Sequence, residues 1–188
     1  MEDIKRRLDK AKARFADPKF LANEGLLNEV GVYVLQYEPK HEMIVRDFVR
    51  REVSNQAGPY RAIEFDLYRM FLGILKDMHV LDAVPEMEEK KGKEYLLDQL
   101  HKAAEPKDFL AKMKADYVSQ QFGDVLFLTS VGVVHPFMRA HRLLEIVQSS
   151  FPKAPIVVFY PGGYDGQTMV LFDKFKDDNY YRAFNLLD

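Results

Sequence analysis

Three short stretches of this chain are apolar at nearly every position. They are Val30-Gly-Val-Tyr-Val-Leu35, the run Val125-Leu-Phe-Leu-Thr129 that follows Asp124, and Ile156-Val-Val-Phe-Tyr160. A strand with one wet face alternates apolar and polar residues. A run of five or six without alternation predicts a strand covered on both faces, as in a parallel sheet between two layers of helices. Most folds are excluded by that one requirement, because helices must then be found for both faces.

The intervening segments supply them. Ile4, Leu8, Ala11 and Phe15 form one apolar stripe ended near Asp17-Pro18. His41 to Asn55 reads as a helix with Ile44, Val45, Phe48, Val49 and Val53 on one side and Arg46, Arg50 and Arg51 toward solvent. Arg61 to Phe65 is a short strand, and Asp66 is placed to cap the next helix. Leu67, Met70, Phe71, Ile74, Leu75 and Met78 recur at the spacing of a core-facing helix. The charged run Glu86 to Glu94 reads as a solvated helix with Glu86–Lys90 and Glu89–Lys93 pairs. Tyr95, Leu96 and Leu100 resume an apolar face, and Pro106 opens a helix with Phe109, Leu110, Met113 and Tyr117 inward. A last helix is expected from Pro136, through Phe137, Ala140, Leu144, Val147 and Phe151. Met169-Val-Leu-Phe172 and Phe175 onward follow as strands. Their loops are too short for parallel crossovers, so they should be antiparallel.

The expected fold is therefore α/β. A mainly parallel sheet is flanked by helices in three layers, with antiparallel C-terminal strands and a helical excursion around residues 67–121. No linker or repeat divides the chain, so residues 1–188 are expected to form a single α/β domain. The 27 Lys and Arg nearly cancel 29 Asp and Glu, giving a formal charge of -2. A basic excess is what sequence-independent nucleic-acid binding calls for, so direct nucleic-acid binding is not expected. With no cysteine, disulfides, thiolate zinc sites and cysteine nucleophiles are all ruled out. No run approaches the roughly 18 apolar residues of a membrane span. The expectation is a cytoplasmic protein without a membrane anchor.

No reaction is spelled out by the motifs. Thr129-Ser-Val-Gly-Val-Val-His135 lies between a strand and a helix, where a phosphate loop would lie, but has one glycine and no lysine. Thr129, Ser130, His135 and Arg139 are the candidate anion site there, with an ordinary strand-to-helix turn as the plainer reading. The dinucleotide fingerprint and the nucleophile elbow are both missing. The histidines lack the spacing of a helical zinc site. Asp177 and Asp178 would need further ligands to hold a cation, and turn chemistry accounts for them. Neither a metal nor a cofactor is expected, and no catalytic residue is assigned. Two polar turns carry tyrosines and an arginine, residue types favoured at interface anchors. The candidate contact surface is Tyr164, Asp165, Gln167, Asp177, Asp178, Asn179, Tyr180, Tyr181 and Arg182. Aromatic packing between neighbouring strands explains the same tyrosines, Tyr160 among them, and both readings stay open.

Tyr164-Asp-Gly-Gln, Leu171-Phe and Phe175-Lys-Asp-Asp-Asn-Tyr-Tyr-Arg-Ala-Phe184 resemble the C-terminal signature of the BrxB family of BREX bacteriophage-exclusion systems. Phe127-Leu-Thr-Ser-Val-Gly, Arg139-Ala-His141, Val158-Phe-Tyr-Pro-Gly162, Glu64-Phe-Asp-Leu-Tyr68 and Met87 to Leu97 fit the same pattern. The resemblance covers nearly the whole chain. It departs at Gly163, where the family pattern has glutamate, which weakens an enzymatic reading of that loop. What it implies is a small non-catalytic assembly or adaptor component of a BREX complex. The partners it implies are a PglZ-like protein first, then a BrxC-like ATPase or a PglX-like methyltransferase, with room for a homodimer. The competing reading is a nucleotide- or phosphate-binding sensor or hydrolase using the turn after the strand at 124–130.

Overall fold

The structure, a computed structural model, describes residues 3–23, 31–55, 57–103, 105–120, 123–147, 150–151, 154–177 and 183–188. Helices α1 (Ile4–Phe15) and α2 (Pro18–Leu21) precede strand β1 (Val32–Tyr37). A 3-10 turn leads into α3 (Glu42–Ser54) and then β2 (Ala62–Asp66). Four helices follow: α4 (Leu67–Asp77), α5 (Val84–Lys91), α6 (Lys93–Ala103) and α7 (Pro106–Ser119). Next come β3 (Val125–Thr129), α8 (Val131–Val134), α9 (Ala140–Val147) and β4 (Ile156–Tyr164). The chain closes with β5 (Met169–Leu171), β6 (Phe175–Asp177) and β7 (Phe184–Asn185).

The sheet runs β2-β3-β4-β1-β7, with every neighbour parallel. β4 is central: Ile156 lies between Val32 of β1 and Leu126 of β3. Beyond that ladder β4 continues as one arm of an antiparallel hairpin, Gly162 opposite Leu171, and β6 adds to β5. The expected mix of parallel centre and antiparallel C-terminal strands is what forms.

Side-chain alternation along these strands sorts the interior into two cores. Val32, Val34, Leu126, Leu128, Ile156 and Val158 face one layer, built from α4, α6, α7, α8 and α9. Tyr33, Leu35, Val125, Phe127, Val157 and Phe159 face the other, built from α1, α2 and α3. Period two splits each run between layers, and because both layers are dry the runs are apolar at nearly every position. Helices 67–119 thus pack on the sheet as one of its covering layers. Among the described residues no helix is long and apolar enough to cross a membrane.

Local chemistry explains the element ends. Asp66 caps α4 by accepting from the backbone N–H groups of Tyr68 and Arg69, both at 3.1 Å. Three expectations need correction. Met78 leaves the core stripe and is 51% exposed, because α4 stops at Asp77 and His79 turns the chain with φ 59°. Glu89 and Lys93 fall on different helices, since Gly92 at φ 83° breaks the run between α5 and α6. The helix expected from Pro136 begins instead at Ala140. Ser130, left-handed at φ 59°, turns the chain at the end of β3, so that α8 starts directly and Pro136 sits in the turn behind it.

One buried acid ties α1 to α3 and to the segment before β2. Glu52 on α3 is 4% exposed and accepts from Tyr60 Oη at 2.5 Å and Lys12 Nζ at 2.9 Å. Burial, and then the bond to Glu52, push the Tyr60 phenol well above its ordinary pKa. Glu52→Ala would strand a buried hydroxyl, at a cost of about 2 kcal/mol. Urea unfolding should show that loss as a lower midpoint with an unchanged m-value.

Candidate functional site at the carboxyl edge of the sheet

In sheets of this kind ligands bind outside the carboxyl ends of the strands, where the helices after neighbouring strands depart to opposite faces. β1 leads to α3 on one face, and β2 and β3 lead to α4 and α8 on the other. β4 lies between β1 and β3. Three clefts occupy this edge.

The first, about 260 Å³, lies between α3 and the start of α4. Its polar groups are matched to one another. Tyr37 Oη donates to Glu42 Oε2 at 2.7 Å, and Arg46 Nε pairs with Glu42 Oε1 at 3.2 Å. Arg46 Nη2 donates to Ser130 Oγ at 3.3 Å, and Thr129 Oγ1 donates to Glu64 Oε1 at 2.6 Å. Burial, followed by the Glu42 carboxylate, drives the Tyr37 phenol strongly upward in pKa, so it stays a donor. Arg46 is exposed on the solvent face of its helix, as expected, and from there also bridges α3 to the end of β3.

The second, about 290 Å³, lies between the α8–α9 turn and the β5–β6 hairpin. His135, Arg139, Lys174 and Lys176 line it, above Val131, Tyr160, Leu171 and Phe175. The His135 and Phe175 rings lie 5.5 Å apart at 33°. The third, about 190 Å³, is bounded by Arg7, Gln36, Glu38, His41, Gly163 and Asp173.

The four residues expected to form one anion site are therefore divided. Thr129 and Ser130 open on the first cleft, where Arg46 and Glu64 already engage them, while His135 and Arg139 open on the second. The left-handed Ser130 and the turn of α8 carry the chain from one side of β3 to the other. Lys174 and Lys176 come from the hairpin. Lys174 lies in the turn before β6 and Lys176 on β6, and both line the cleft together with the Phe175 between them, a placement that strand alternation does not predict.

Of the expected contact surface, Tyr164 is only 7% exposed. Its hydroxyl donates to the Ala183 carbonyl at 2.7 Å, and its N–H donates to Gln36 Oε1 at 2.5 Å. It is a strut joining the hairpin, β1 and the final strand. Asp165 and Gln167 are exposed at the hairpin tip. Asp165 accepts from the Gln167 and Thr168 N–H groups and the Thr168 hydroxyl, at 2.9, 2.7 and 2.8 Å. Asp178, Asn179, Tyr180, Tyr181 and Arg182 lie outside the described residues, as does the side chain of Asp177. Among the described residues no group of three or more His, Asp or Glu is arranged to hold a metal ion.

A family model described as "BREX protein BrxB" matches residues 63–186. A protein of Bacillus cereus (strain H3081.97) named "BREX protein BrxB" is 39% identical over 194 aligned positions, covering 100% of both chains. One of the same name from Escherichia coli O9:H4 (strain HS) is 29% identical, over 96% of this chain and 90% of its own. No solved structure matches the chain.

Two predictions follow from the hairpin. Gly162 has φ 148°, and a Cβ there would run into the Val170 carbonyl, whereas a Cβ at Gly163 meets nothing closer than Asp173 Oδ1 at 3.7 Å. Gly162→Ala should cost at least about 2 kcal/mol, and Gly163→Ala less than about 0.5 kcal/mol, in parallel denaturation curves. The hydrogen bonds from Thr168 and Gln167 hold the Asp165 carboxyl below its usual range. Its contribution to the hairpin is therefore present above the unfolded pKa of about 3.9 and lost as pH falls through the lower folded value. The Gln167 and Thr168 amide signals should titrate below pH ~3.9, and Asp165→Asn should abolish that titration.

Proposed function

The chain belongs to the BrxB family, and on that premise we propose that it is a non-catalytic assembly or adaptor subunit of a BREX complex. As a BREX component it takes part in antiviral defence and phage resistance. The observation that carries the adaptor reading is the end-to-end match to a BREX protein of the same length class. The first cleft supports it. Tyr37, Glu42, Arg46, Ser130, Glu64 and Thr129 hydrogen-bond to each other, which stiffens the edge of the sheet.

The contact surface in this reading is the exposed hairpin tip at Asp165 and Gln167 together with the signature residues Asp177 to Arg182. The partner is a PglZ-like protein, with a BrxC-like ATPase or a PglX-like methyltransferase as the alternatives within the complex. Tyr164 contributes by fixing the tip rather than by touching the partner.

Co-expression with the PglZ-like protein, followed by size-exclusion chromatography, should give a co-eluting complex. Gln167→Arg combined with Arg182→Glu should weaken it at least tenfold. Tyr164→Phe should keep binding while lowering stability by about 1 kcal/mol. An absence of association with the PglZ-, BrxC- and PglX-like proteins alike would sink the adaptor reading.

A further inference from the structure

We infer that the second cleft is a binding site for a nucleoside di- or triphosphate, a property separate from any assembly role. Among the described residues, every charged side chain lining it is basic or can become so: His135, Arg139, Lys174 and Lys176. The chain as a whole is slightly acidic, so this grouping is local and does not reflect a basic protein. The two nearby clefts differ. Glu42, Glu64 and Asp66 are among the residues lining the first, and the third includes Glu38 and Asp173. Asp173 belongs to the same turn as Lys174 but lines the opposite side of the hairpin. The turn thus sends its acid one way and its lysine the other.

The apolar part of the lining separates a nucleotide from a bare anion. Phe175 is 53% exposed, a large ring left in water beside four nitrogen-bearing side chains. With His135 it forms a two-ring wall. A nucleobase stacks on such a wall with little dependence on its identity. Arg139, Lys174 and Lys176 then face the phosphates, Arg in bidentate fashion and the lysines as point charges. A volume of about 290 Å³ far exceeds one phosphate and suits part of a nucleotide, the remainder projecting into solvent. The position also fits, at the carboxyl ends of β3 and β4.

The turn that lines one side of the cleft has a strained backbone. Phe172 and Asp173 both have positive φ, 54° and 56°, in the turn that presents Lys174. The Phe172 ring lies over Gly132 of α8, where a Cβ would come within 2.5 Å of its tip. Residues that keep an unfavourable backbone are held there by their surroundings, and such strain gathers at binding sites.

The test is calorimetric titration of the full chain with ATP, ADP, inorganic phosphate, a dT oligonucleotide and a Glu-rich peptide. ATP and ADP are expected to bind more tightly than phosphate. Arg139→Glu and Lys174→Glu should each weaken ATP at least about tenfold while the far-UV spectrum and melting temperature hold. Phe175→Ala should weaken ATP more than it weakens pyrophosphate. The proposal is overturned if ATP shows no heat at millimolar concentration or if both charge reversals leave its affinity unchanged. Tighter binding of the oligonucleotide or of the peptide would overturn it equally, reassigning the cleft to a single strand or to an acidic protein segment.

Discussion

The parallel ladder between β1 and β4 is the contact on which the rest of the molecule depends. It joins a strand near the start of the chain to one near its end, in register from Val32 and Ile156 to Tyr37 and Pro161. Such a pairing returns nothing until a long loop has been closed, so local structure must form first and the ladder locks it. α3 and β2 are enclosed by that closure, as are all helices from α4 to α9. Without β1 beside it, β4 would lose one of its two neighbours, and Tyr33, Leu35 and Tyr37 would leave the core shared with α1 and α3.

The ladder also makes two cores from one sheet, and each is closed by a different device. The layer of α4, α6, α7, α8 and α9 is closed by bulk, with Phe71, Phe109 and Met113 fully buried. The layer of α1 and α3 is closed by rings and one acid. Phe15 touches Phe20, Phe48, Tyr60 and Phe127, with centroids 5.0 to 6.5 Å apart, and Glu52 takes up the polar ends of Tyr60 and Lys12. Losing one partner of that trio costs more than the trio contributes as a whole.

Much of this was legible in the residues, because burial on both faces leaves a plain mark. The apolar runs placed β1, β3 and β4, Asp66 placed the start of α4, and loop length gave the antiparallel hairpin. What escaped depends on geometry that has no local signature. Pro136 carries the chemistry of a helix start, yet the chain had already turned at Ser130, where a left-handed residue is set by the packing of α8 on the hairpin. Tyr164 reads as an interface anchor until Gln36 and Ala183 are brought against it from either end of the chain. The basic cleft needed α9 and the hairpin in place together, which only strand order decides. Strand order is the property that sequence pattern carries least.

β4 has two identities along one backbone. Up to Val158 it is a parallel strand held on both sides, to Pro161 it is held by β1, and from Gly162 it is an arm of the hairpin. The hairpin is therefore joined to the centre of the sheet by an unbroken extended strand, without an intervening flexible connection. A pull on its tip by a bound protein travels down β4 as shear. The hydrogen bonds to β1 and β3 resist together rather than opening one after another, as they would if a strand were peeled from an edge. Whatever grips this tip has a mechanical hold on the middle of the fold.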